Sequence, residues 1–214
     1  MELRILEIIP VYWQLIKGWV PSAFLSTAPS IVQIRVFVCL SCSPRFEYGA
    51  MSDCANLDNP RVAIVGSGAI GAYFGACMAE AGIDVHFLMR RDLELVRSRG
   101  LYIQREHAPS FLLQNVQCYG TTSDIGPCDL VIIAIKSTDN DSLPELVKPL
   151  LHENTVVLTL QNGLGNVEFL QKHFGEERAL GGLVFMGINR TEPGRIENYN
   201  PNGGTVTIGE PHGK

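Results

Sequence analysis

The residues best suited to chemistry in this 214-residue chain are Gly66, Gly68 and Gly71, Arg90 and Arg91, Lys136 and Asn162. The glycines stand as G-x-G-x-x-G, directly behind the apolar run Val62-Ala63-Ile64-Val65. Small residues follow at helical spacing: Ala72, Gly75, Ala76 and Ala79. A buried parallel strand, a tight turn and a helix in that order make a phosphate cradle. The first glycine allows the turn, the second lets backbone approach a pyrophosphate, and the third lets helix pack on strand. The cradle is Gly66-Ser67-Gly68-Ala69-Ile70-Gly71. Its free N–H groups and the positive end of the helix dipole would face the phosphates. The motif alone is common, but between such a strand and such a helix it points to a dinucleotide.

The second strand, over 83–89, ends in Arg90-Arg91-Asp92. An NAD site wants a carboxylate here, to accept from the ribose 2′-OH. Two guanidinium groups suit a 2′-phosphate instead, in charge and in geometry, so NADP is the expected cofactor. Asp92 could serve the ribose, but its place suits the N-cap of a helix over 93–99.

The elements that must position these residues alternate strand and helix through 60–175. Buried strands are expected at 128–135 and 155–160, and helices at 143–151 and 166–174. A short hairpin is expected from 101–104 and 111–116, and strands at 179–186, 196–199 and 205–208 read as an antiparallel addition. The expectation is an α/β fold: a Rossmann-type doubly wound parallel sheet with a few additional C-terminal strands. Ligands in such sheets lie beyond the carboxyl ends of the strands. Gly66, Arg90, Lys136 and Asn162 each follow a strand and should therefore converge on one crevice.

Composition sets the outer bounds. Hydrophobic residues make up 46% of the chain, which supplies a core and argues against disorder. A net charge of −5 offers no field to gather nucleic acid, so no nucleic-acid partner is expected. The six cysteines are scattered, a usage that fits reduced thiols and a cytoplasmic location. The pair Cys39-Leu-Ser-Cys42 lacks a second pair, and His86, His107, His152, His173 and His212 share no ligand spacing, so no metal is expected.

Residues 1–59 stand apart from the dinucleotide pattern. They are apolar in patches, but Pro21 and Pro29 break the longest charge-free run and leave it short of a membrane span, so no membrane partner is expected. Glu2 and Glu7 sit where a signal peptide needs basic residues. We read this stretch as an N-terminal extension, poorly structured or the product of a start site upstream of Met51, and 60–214 as the NADP-binding domain.

Three motifs in order then carry a resemblance: G-S-G-A-I-G-A at 66–72, A-I-K-S-T-D at 134–139 and L-Q-N-G-L-G at 160–165. Together they resemble the ketopantoate reductase (2-dehydropantoate 2-reductase) family, over roughly residues 60–212. The resemblance implies NADPH-dependent reduction of the 2-keto group of ketopantoate to pantoate, on the route to pantothenate and coenzyme A. It implies that the cradle holds the pyrophosphate, that Arg90 meets the 2′-phosphate, that Lys136 lines the cofactor site and that Asn162 sits near nicotinamide and substrate. In that family a helical second domain supplies the catalytic lysine and a substrate-holding glutamate. The chain stops at Lys214, about where that domain should begin, so no residue here is assigned a catalytic role. The expectation is a cofactor-binding half, barely active alone, with a small 2-keto acid as partner and a homodimer left open for the full-length protein. Two alternatives stand beside it: a non-catalytic NADP-binding module, and a reductase of another 2-keto acid.

Overall fold

A computed structural model describes residues 34–37, 60–106 and 108–209; for 34–37 it gives the backbone alone. The Cys39–Cys42 pair, the Met51 start and most of the N-terminal extension lie outside the described residues.

The core strand is β2 (Arg61–Val65), whose last four residues are fully buried. Such a run can be buried on both faces only inside a covered parallel sheet. Around it lie β3 (Asp84–Leu88), β6 (Cys118–Tyr119), β7 (Leu130–Ile133), β8 (Val156–Thr159) and β9 (Ala179–Phe185). These six pair parallel in the order β6-β3-β2-β7-β8-β9. Numbered along the chain, that is the 3-2-1-4-5-6 order of a doubly wound dinucleotide fold. The sheet ends in two antiparallel additions, β12 (Thr205–Gly209) and β1 (Ile34–Phe37).

Alternation along the strands feeds two cores. Val62 and Ile64 join Phe87, Ile132 and Leu158 on one face. Ala63 and Val65 join Val131, Ile133 and Val157 on the other. That second core is closed by α3 (Leu143–Val147) and α4 (Asn166–Phe174), through Leu143, Val147 and Leu170.

The first core is closed by α1 (Ala69–Glu80), which is buried without a break from Gly71 to Met78. A helix wrapped this completely needs a layer on its far side, and a second sheet provides it. That sheet runs β10 (Ile188–Glu192), β11 (Arg195–Asn198), β4 (Leu101–Arg105), β5 (Phe111–Leu113). The buried pair Tyr73 and Asn198 bolts helix to sheet, with the Asn198 amide donating to the Tyr73 hydroxyl at 2.9 Å and to the Gly203 carbonyl.

Several expectations change. The stretch at 179–186 is the sixth parallel strand and not part of an antiparallel addition, because α4 carries the chain back across the sheet before it. The expected hairpin of β4 and β5 forms, and β11 joins it in parallel to build the second sheet. The helix expected over 143–151 is α-helical only to Val147, with 3₁₀ turns before and after it at Ser137–Ser142 and Lys148–Leu150. Strand β6, two residues long, carried no sequence signal. No helix among the described residues is long and apolar enough to cross a membrane.

Candidate functional site

Register brings the strand ends level. Val65 lies opposite Leu88 on one side and Ile133 on the other, and Ile133 lies opposite Thr159. The residues following these four strands, Gly66, Arg90, Lys136 and Asn162 among them, therefore share one edge of the sheet. The order reverses between β2 and β7, so the glycine turn sits at the switch point, where open α/β sheets bind ligands.

Gly66 has φ +107°, and a β-carbon on it would stand 2.5 Å from the Ile135 backbone nitrogen. Only glycine lets the turn cross so close to the end of β7. Gly71 is pinned by the turn itself: its β-carbon would meet the Gly66 carbonyl oxygen at 2.1 Å, ahead of Ile64 and Ala134. The helix-to-strand packing expected of Gly71 is shared with Gly75, which faces the Phe87 ring. At Gly68 a β-carbon would meet nothing within 4 Å. That is the profile a phosphate cradle requires, with two glycines locked by backbone and the middle one facing open space. Ser67 ties the turn to the neighbouring strand, donating its hydroxyl to the Leu88 carbonyl at 2.8 Å. Ala69 and Ile70 open α1, with Ile70 seated against the core.

Arg90 projects from the end of β3 with its side chain 80% exposed, and Nη2 lies 3.9 Å from Asp139 Oδ2. It thus leans over the loop that begins at the exposed Lys136. Asp92 takes a different place from the cap expected of it. Its side chain makes no capping bond to α2 (Leu93–Arg99). It pairs instead with Arg190 on β10, Nη1 to Oδ2, at 3.2 Å.

The loops after β7 and β8 are joined by a relay of amides that sequence reading did not single out. Gln161 Nε2 donates to the Ile135 carbonyl at 3.1 Å and to Asn140 Oδ1 at 2.7 Å. Asn140 Nδ2 donates to Asn166 Oδ1 at 3.0 Å, and Asn166 Nδ2 to the Asn162 and Gly163 carbonyls, both at 3.2 Å. Thr159 Oγ1 donates to Gln161 Oε1 at 3.0 Å and fixes which end of that amide faces the relay. The signal was present in Q-N-G-L-G-N, whose outer amides straddle the loop. Asn162 itself is exposed at the crevice, held through its backbone.

Burial pushes the Cys77 thiol up to about 12 and Cys128 up to about 11. Among the described residues no group of His, Cys, Asp and Glu could hold a metal ion.

A strand, a locked glycine turn and a helix at the switch point of a six-stranded parallel sheet define a Rossmann-type dinucleotide-binding domain. The model of the ketopantoate reductase PanE/ApbA family matches residues 62–213, and the chain belongs to that family. A 2-dehydropantoate 2-reductase of Nostoc sp. is 37% identical over 72% of this chain and 47% of its own length. One from Aquifex aeolicus is 32% identical over 71% of this chain and 47% of its own. The crystal structure of 2-dehydropantoate 2-reductase from Geobacter metallireducens superposes with a TM-score of 0.63 at 46% identity, covering 64% of this chain and 46% of that one. A PanE/ApbA family ketopantoate reductase from Ralstonia eutropha gives 0.61 at 28% identity, covering 65% and 46%. The chain spans about half the length of the relatives it matches.

Proposed function

We propose that residues 60–214 are the NADPH-binding half of a reductase that converts the 2-keto group of ketopantoate to the hydroxyl of pantoate, on the route to pantothenate and coenzyme A. The observation that carries this reading is the edge where the locked glycine turn, with open space at Gly68, meets the exposed guanidinium of Arg90 and the Lys136 and Asn162 loops. Bound NADPH supplies the hydride. The chain's own part is to hold and orient. Backbone N–H groups of 66–71 take the pyrophosphate, Arg90 the 2′-phosphate, Lys136 lines the site, and Asn162 offers its amide beside nicotinamide and substrate. The developing alkoxide of a ketone reduction needs a positioned donor. We place that donor, and most of the substrate contacts, in the half of the relatives that this chain does not span. The buried thiols of Cys77, Cys118 and Cys128, unpaired in the structure, suit the reducing cytoplasm.

Calorimetric titration of the chain with NADPH and NADH tests the assignment. Arg90→Ala is expected to weaken NADPH binding by ~1–3 kcal/mol, the size of a lost charged hydrogen bond, and to change NADH binding little. Equal losses for both cofactors would contradict the role given to Arg90.

A further inference from the structure

At the end of β3 the carboxylate nearest the two arginines in sequence is Asp92, and two observations concern where it points. Its side chain is 13% exposed and salt-bridged to Arg190, while Arg90 two residues earlier is 80% exposed. Asp92 also makes no capping bond to the helix it precedes, so neither α2 nor open solvent accounts for its position. We propose that Arg190 is a selectivity residue that acts through Asp92: it holds the carboxylate against the second sheet and so clears the ribose pocket for a 2′-phosphate. This rests on the NADPH reading given above.

The physical argument is one of sign. A carboxylate free to swing toward the ribose would accept a hydrogen bond from a 2′-OH and repel a 2′-phosphate, thereby favouring NADH on both counts. Bound to a guanidinium on a strand of another sheet, the same carboxylate is neutralised and drawn aside, and the charges left at the strand end are Arg90 and Arg91, with the half-exposed Asp139 facing Arg90 at 3.9 Å. The pair is well placed for this because β10 is fixed against α1, so Arg190 is anchored independently of the β3–α2 loop it restrains. On this account Arg190 is a positioning residue that touches no part of the cofactor.

The test is a double-mutant cycle read as dissociation constants for NADPH and NADH, measured calorimetrically on the 214-residue chain at fixed ionic strength. Wild type is expected to prefer NADPH. Arg190→Gln should lower the NADPH-over-NADH preference at least about fivefold, the factor carried by one net hydrogen bond, with NADH binding unchanged or tighter. Arg190→Lys should largely restore the preference, and Asp92→Asn should keep it. On the Asp92→Asn background, Arg190→Gln should change nothing further. Thermal melts identify any variant that fails to fold, and if Arg190→Gln does, Arg190→Met, which keeps the stem and removes the charge, takes its place in the cycle with the same expected outcomes. A wild-type preference for NADPH that Arg190→Gln leaves intact would overturn the proposal and leave the NADPH reading standing. So would an equal loss of NADPH binding with and without Asp92, since Arg190 would then act directly. A wild type that prefers NADH would overturn both.

Discussion

The glycines of the turn divide into two that the backbone requires and one that faces open space. Gly71→Ala would drive a β-carbon to 2.1 Å from the Gly66 oxygen, a backbone atom that cannot swing away. We expect it to destabilise the fold by about 1–3 kcal/mol or more, as overpacking does. Gly68 has φ −73° and nothing within 4 Å of its missing β-carbon. Gly68→Ala should therefore leave stability within about 0.5 kcal/mol while lowering NADPH affinity, because the methyl would occupy cradle space. Urea melts beside cofactor titrations separate the two, and a stable Gly71→Ala or a strongly destabilised Gly68→Ala would refute the division. Sequence spacing names all three glycines and not this difference in kind, which depends on where the end of β7 passes.

Among the elements, the loops after β7 and β8 are made one unit by Gln161, Asn140 and Asn166. Asn140→Ala removes the middle of the relay and leaves the buried Asn166 carbonyl without that donor. We expect a loss of ~1–3 kcal/mol, the cost of a buried polar group left unpaired, and weaker cofactor binding from slackened loops. A denaturation midpoint equal to wild type would show the relay to be incidental. Why such features escape a reading of the chain is physical. The strands β2, β7 and β8 were legible because a run buried on both faces must be apolar throughout. The glycine turn and its helix were legible because backbone crowding leaves few residue choices. Asn140 lies in a polar 3₁₀ turn like many others, and only the fold brings it to Gln161, 21 residues on. The ion pair of Asp92 crosses to β10, so local spacing could suggest only a helix cap. Likewise, β9 reads as any edge-like strand until α4 is seen to return the chain to the same direction.

For the molecule as a whole, the alternation along β9 leaves Leu183 69% and Phe185 79% exposed, opposite Thr207 and Thr205 of β12. Isolated exposed apolar residues are ordinary, but two in register on one strand favour self-association at high concentration. Replacing both by threonine, which keeps strand propensity, should reduce association in sedimentation velocity without lowering the melting temperature. Unchanged sedimentation would mean this face does not mediate it. The burial of α1 between two sheets has a consequence on a different timescale. A helix flanked by solvent can fray by itself, whereas this one can open only if a whole sheet lifts away. Its amide protons, from Tyr73 to Met78, should accordingly be the slowest in the chain to trade for deuterium, exchanging at the rate of global unfolding while those of α3 and α4 exchange through local openings.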